Sequence, residues 1–169
     1  MTNYKIDALF ELKKYIWDAL VNLEIFDPED YYSDNISSNV VVPIIPVQQS
    51  PELAQFLSGK KHIVFDKIST TYDTNWLICQ EQFLYTIYAT DYAEINQIRN
   101  VFIDLFRRMD ESAKDVNYSD ISDLIKFHTI YISDISPTSP SDEIKGFYAT
   151  DIILETKYSR ITDETGRFA

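Results

Sequence analysis

Apolar positions recur at two periods along this chain, and the clearest switch lies between Glu81 and Met109. Phe83-Leu84-Tyr85-Thr86-Ile87-Tyr88-Ala89 reads as a strand, with Phe83, Tyr85 and Ile87 on one face and Leu84 and Tyr88 on the other. Past Thr90-Asp91 the period lengthens. Tyr92, Ile95, Ile98, Phe102, Leu105, Phe106 and Met109 form one stripe about 27 Å long at 1.5 Å per residue. Asp91-Tyr92-Ala93-Glu94 has capping-box spacing with Asp in the Ser/Thr place, so a long helix is expected from Asp91 to about Met109. Arg107 and Arg108 near its end suit the helix dipole.

The same reading places a first helix over about Asn3 to Asn22, with Ile6, Leu9, Phe10, Ile16, Trp17, Leu20 and Val21 on its apolar face. Lys13 interrupts that face and is expected to run its stem along the edge. Asp27-Pro28-Glu29-Asp30 ends the region, and Tyr31 to Asn39 reads as a polar loop. Val40-Val41-Val42 is a short strand. Pro43 and Pro46 bracket Ile44-Ile45, which keeps that extended stretch out of the middle of a sheet. A short helix follows, with Ser50 as N-cap, Pro51 at its first position and Gly59 at its C-terminal cap. Leu53, Phe56 and Leu57 should point inward. Ile63 to Ile68 and Trp76 to Ala89 then pair as a hairpin across the turn-rich Ser69 to Asn75.

Asp110 to Ser119 reads as a polar link, Leu124 to Ile132 as a third long strand and Gly146 to Tyr158 as a fourth. Ser133 to Glu143 between them is an exposed loop by composition. The three polar loops, at 31–39, 69–75 and 133–143, are expected to be mobile in a free subunit and to order against partners. The pattern predicts an α+β fold: an antiparallel sheet of about four or five strands packed with an N-terminal helix and a long central helix. Residues 1–160 form one α+β domain in this reading, and 161–169 a loose C-terminal tail.

Composition narrows the function. Of 169 residues 45% are hydrophobic, including 12 Tyr and 10 Phe, so the chain can build a core. Only 3 Gly argues against glycine-rich phosphate loops. A net charge of −12, from 27 acidic against 15 basic residues, disfavours binding to free nucleic acid or an anionic membrane surface. Cys79 is the single cysteine, which excludes an internal disulfide and suits a reducing compartment. Met1 to Glu11 carries polar residues where a secretory leader needs an apolar run, and no 18-residue apolar stretch stands ready to span a bilayer.

The sequence offers little reactive chemistry. His62 and His128 lack neighbours at metal-ligand spacing, and Cys79 between Ile78 and Gln80 has no flanking base. Asp27, Glu29 and Asp30 lack the glycine and closing glutamate of a calcium loop. No catalytic residue, metal or cofactor is assigned. Surface candidates remain. Leu84 and Tyr88 lie on the second apolar face of their strand, which needs a covering; Tyr31 and Tyr32 form an aromatic pair open to either contact or core; Pro137 and Pro140 sit in the long loop.

The layout resembles the tail terminator, or tail completion, proteins of long-tailed bacteriophages. The resemblance rests on the N-terminal helix, Val42-Pro43-Ile44-Ile45-Pro46, Ile63-Val64-Phe65-Asp66, the run from Phe83 through Glu94 into the long helix, and the closing Tyr148 to Tyr158. It covers most of the chain. It implies an α+β subunit of a ring, usually a hexamer, that caps the tail tube in the virion after assembly in the host cytoplasm. Implied partners are other copies, the tail tube protein, and sheath and neck or connector proteins. DNA would pass through the lumen without specific binding. A neck connector at another level of the junction, a ligand-binding or hydrolytic α+β domain using a carboxylate pair, and an acidic DNA mimic are the rival readings.

Overall fold

The computed structural model describes residues 7–36, 38–72, 78–121 and 123–160. Asn3 to Ile6, Asp73 to Leu77 and the 161–169 tail therefore lie outside the described residues.

The first helix, α1 (Ala8–Asn22), opens at Asp7, whose Oδ1 accepts the Leu9 amide at 2.9 Å. Ala8, Leu9, Leu12, Ile16 and Leu20 are its buried residues. Phe10, expected on that face, is 55% exposed and meets Phe65 edge-on, with ring centroids 6.4 Å apart. A 3-10 turn at Pro28–Tyr31 leads to a two-stranded ribbon of β1 (Tyr32–Ser33) and β2 (Asn39–Val40). The stretch assigned to a Val40–Val42 strand is thus split, and the sheet is entered instead by β3 (Ile44–Pro46). The short helix α2 (Pro51–Phe56) has the expected Ser50 cap, and Gly59 beyond it has φ +78°, a conformation that favours glycine.

The main sheet continues with β4 (His62–Tyr72) and β5 (Ile78–Ala89). Ser69 to Tyr72, expected as loop, extends β4 because each residue pairs with β5, from Ser69 opposite Gln82 to Tyr72 opposite Cys79. Two helices follow, α3 (Tyr92–Phe106) and α4 (Asp110–Tyr118). The Asp91 cap is present, with its Oδ1 accepting the Ala93 amide at 2.9 Å. The helix ends three residues earlier than the stripe suggested, since Met109 has φ +44° and starts a new direction. Tyr92 and Met109 are about half exposed, while Val101 joins Ile95, Ile98, Phe102 and Phe106 in the core. The presumed polar link is α4, held by buried Ser112, Ala113 and Val116.

Three strands follow: β6 (Ile125–Ile135), β7 (Ser139–Pro140) and β8 (Tyr148–Arg160). Strand order is β3-β4-β5-β8-β6, with β7 pairing β8 on the same side as β6. The sheet has six strands rather than four or five, and β3 runs parallel to β4, so it is mixed, not wholly antiparallel. The class is α+β, as expected. The edge position of β3 agrees with Pro43 just before it and Pro46 as its last residue.

The helices cover one face. Phe83, Tyr85, Ile87, Ile152, Leu154 and Phe102 are fully buried there, with Tyr85 and Phe102 ring centroids 5.2 Å apart. Burying an aromatic ring of this size removes roughly 150–250 Å² from water, which makes this layer the main apolar driving force.

Candidate assembly surface

Each residue of the uncovered sheet face follows from pairing register. Asp66, Leu84, Ile153 and Asp134 form one row across β4, β5, β8 and β6; Ser69, Gln82, Glu155 and Tyr131 form the next; Thr71, Gln80, Lys157 and Thr129 the third. The expectation of a sheet apolar on both faces is therefore corrected. Leu84, Ile153 and the neighbouring Val64 are half-buried in a largely polar face, because Leu84 and Ile153 pair with each other but have Asp66 and Asp134 on their outer sides, and Val64 lies opposite Thr86. The second and third rows enclose a shallow depression of about 370 Å³. Gln82 Nε2 donates to Glu155 Oε1 at 2.6 Å; a bond from Tyr131 first, and then this one, holds the Glu155 carboxyl below the usual range.

The six candidate contact residues do not gather in one place. Tyr31 is a core residue, 2% exposed, packed against Trp17 and Phe26 with its hydroxyl donating to the Lys61 carbonyl at 2.6 Å. Burial raises its pKa. Tyr32 is exposed and donates to Asp34 Oδ1 at 2.8 Å. Leu84 lies mid-sheet. Tyr88 is buried at the β4–β5 end, stacked on His62 at 5.2 Å and donating to Glu143 Oε2 at 3.1 Å; burial and that bond push its pKa up to about 12. Pro137 and Pro140 are exposed, but the segment around them is tied to β8 by the Ser136 amide on the Asp151 carbonyl at 2.9 Å and the Ser141 amide on the Phe147 carbonyl at 2.8 Å. Much of the expected 133–143 loop is thus a sheet edge.

Among the described residues one carboxylate is buried deep on the helix-covered face. Glu81 is 2% exposed and accepts from Tyr158, from Thr70 Oγ1 at 2.8 Å and from Lys67 Nζ at 2.9 Å. Lys67 also reaches Asp7 at 3.0 Å, which ties the α1 cap to the sheet. Burial works against the Lys67 ammonium, yet the bonds to Glu81 and Asp7 outweigh it and raise its pKa. Burial raises the Tyr158 pKa most, with the Glu81 bond next. Every oxygen of Glu81 is engaged, so this is a structural pin rather than an open acid. Cys79 beside it is buried, and burial raises its thiol pKa. Among the described residues no three His, Cys, Asp or Glu side chains gather as a metal site, and no helix is long and apolar enough to cross a membrane.

Two charged corners escaped the sequence reading. Lys114, Lys126, His128 and Lys157, from α4, β6 and β8, line a recess of about 540 Å³ that holds one acid, Asp110. Burial, then the fields of Lys126 and Lys157, lower the His128 pKa. Neither Lys114 nor Lys126 has an ion pair among the described residues. At the other corner, the 23–34 segment carries exposed Glu24, Asp27, Glu29, Asp30 and Asp34 together with Leu23 and Tyr32, which are 60% and 51% exposed. Lys126 and His128 alternating around Phe127 was the one sequence signal for the first corner.

No protein-family model and no curated protein matches this chain. Among solved structures, a chain in the structure described as "Virion of native gene transfer agent (GTA) particle" shares the fold with a TM-score of 0.50 at 9% identity. The match covers 93% of this chain and 99% of that one.

Proposed function

We propose that this chain is a structural virion protein and, more specifically, a tail terminator: one subunit of a ring, hexameric in this reading, that caps the tail tube and presents the surface joining it to the filled head. The observation that carries the reading is the likeness to a chain of the gene transfer agent virion, because it spans 93% of this chain and 99% of the other and so is not confined to a local motif. The layout from the N-terminal helix to the closing β8 strand supports it. So does the chain's −12 charge, since a lumen of net negative charge repels the duplex and lets DNA pass without sticking.

The role is one of shape, with no catalysis. Its most acid-like buried group, Glu81, is saturated by Lys67, Thr70 and Tyr158 instead of facing a substrate. Partners in this reading are other copies of the chain, the tail tube protein, and sheath and neck proteins. The setting is the host cytoplasm during assembly and the virion afterwards.

Deleting the gene from a producing genome tests it. A terminator stops tube growth, so its loss should leave overlong, unjoined tails beside filled heads. Unjoined tails of normal length would favour a neck connector instead. Complete particles that still deliver DNA would contradict both.

A further inference from the structure

The two charged corners lie diagonally across the sheet. Lys126 stands on β6, the edge strand, opposite Ser159 near the end of β8. Its companions come from α4, which is bound to that same edge by Asn117 on Phe127, and from Lys157 one row in. The acidic corner stands beside β3, the opposite edge. There the 3-10 turn is fixed to the start of β4 by Tyr31 on the Lys61 carbonyl, and Val41, paired with the Tyr31 carbonyl, leads directly into β3. Four strand spacings of about 4.8 Å separate the two edges.

We propose that the acidic corner of one copy, centred on Glu29 and Asp30, docks onto the basic recess of the next copy, centred on Lys126 and Lys114, and that this is the head-to-tail contact of the ring. The inference rests on the ring reading and names its interface. Opposite charges on opposite corners of one subunit cannot satisfy each other within it. A second copy in the same orientation can satisfy both, and such a contact propagates until the rotation closes. In a chain of net charge −12, a recess holding three lysines and one acid is also the local exception to self-repulsion between copies. Each corner carries exposed apolar surface that charge alone does not explain: Leu23 and Tyr32 at the acidic one, and Tyr118, 90% exposed at the end of α4, by the basic one. Lys60 and Lys61 behind the acidic corner are already engaged, Lys60 with the Asp30 carbonyl and Lys61 with the Ile25 carbonyl and Glu94, so they leave its outer carboxylates available.

The test uses the full chain with Cys79→Ala, adding Glu29→Cys and Lys126→Cys singly and together. All added cysteines are at exposed positions, so the fold should persist. Mild oxidation at the highest soluble concentration should give a ladder of dimers and larger species only in the double variant, and the ladder should be lost in 1 M salt, where the Debye length falls to about 3 Å. In parallel, Lys126→Glu or Glu29→Lys alone should abolish ring incorporation in particles, and the two together in one chain should restore it. No ladder, equal dimers from a single-cysteine variant, or charge reversals without effect would overturn the inference. If particles nonetheless carried a ring of this chain, the functional reading would stand without it; if they carried none, that reading would fail as well.

Discussion

Asn117 pairs with Phe127 as though it were a strand residue: its Nδ2 donates to the Phe127 carbonyl at 2.8 Å and its Oδ1 accepts the Phe127 amide at 2.9 Å. The Ile130 amide on the same strand donates to the Met109 carbonyl at 3.3 Å. Strand β6 is an edge of the sheet, and these bonds fill three of its outward backbone groups, which left open would template unwanted pairing between chains. Asn117→Ala should cost about 1–2 kcal/mol, because two backbone groups lose their partners. Urea unfolding measures this directly, and an unchanged midpoint would contradict the role given to Asn117.

Phe102 is the centre of the helix–sheet interface, fully buried between Tyr85 at 5.2 Å and Phe106 at 6.1 Å. Phe102→Ala should lower stability by about 3–5 kcal/mol through the cavity it leaves. Phe102→Asp places an unpaired charge there and should prevent folding. A soluble, cooperatively melting Phe102→Asp variant would refute the packing.

Both interface elements were legible in the sequence, for the same physical reason. The Phe83 to Ala89 alternation, the Asp91 cap and the three-and-four period of α3 each announce themselves locally. Helix α4 did not, since only Ser112, Ala113 and Val116 turn inward and its other positions are polar. Ser69 to Tyr72 and Ser139-Pro140 likewise look like loop, and become strand only because a partner strand lies beside them. The charged corners were hidden for a related reason. Lys114, Lys126 and Lys157 are scattered along the chain and meet only when α4, β6 and β8 are assembled.

Glu81 should be indispensable although it does no chemistry. Glu81→Ala leaves the Tyr158 hydroxyl without this acceptor and Lys67 with Asp7 as its one carboxylate partner among the described residues, and breaking a buried pair in this way costs about 3–5 kcal/mol. Thermal unfolding of the variant at neutral pH checks it. A loss below 1 kcal/mol, the scale of surface pairs, would show that the network is not a structural pin.

Alkaline pH should weaken the fold through its buried tyrosines. Tyr88 has a folded pKa of about 12 against an ordinary 10, and Tyr31, Tyr85 and Tyr158 are raised as well. The folded state holds these protons while the unfolded chain releases them. Their contribution is therefore complete below pH 10 and is lost as pH rises through the folded values. Tyr88→Phe removes one such proton and should make stability fall less steeply between pH 10 and about 12. An unchanged slope would show that Tyr88 titrates as an exposed tyrosine.

The central claim is that this chain works as a ring at the head-proximal end of a tail, and averaged electron microscopy of intact particles tests it most directly. The account predicts a closed ring of copies between the tail tube and the neck, enclosing a lumen of net negative charge. Density for this chain anywhere else in the particle, or a lumen lined by Lys and Arg, would contradict it.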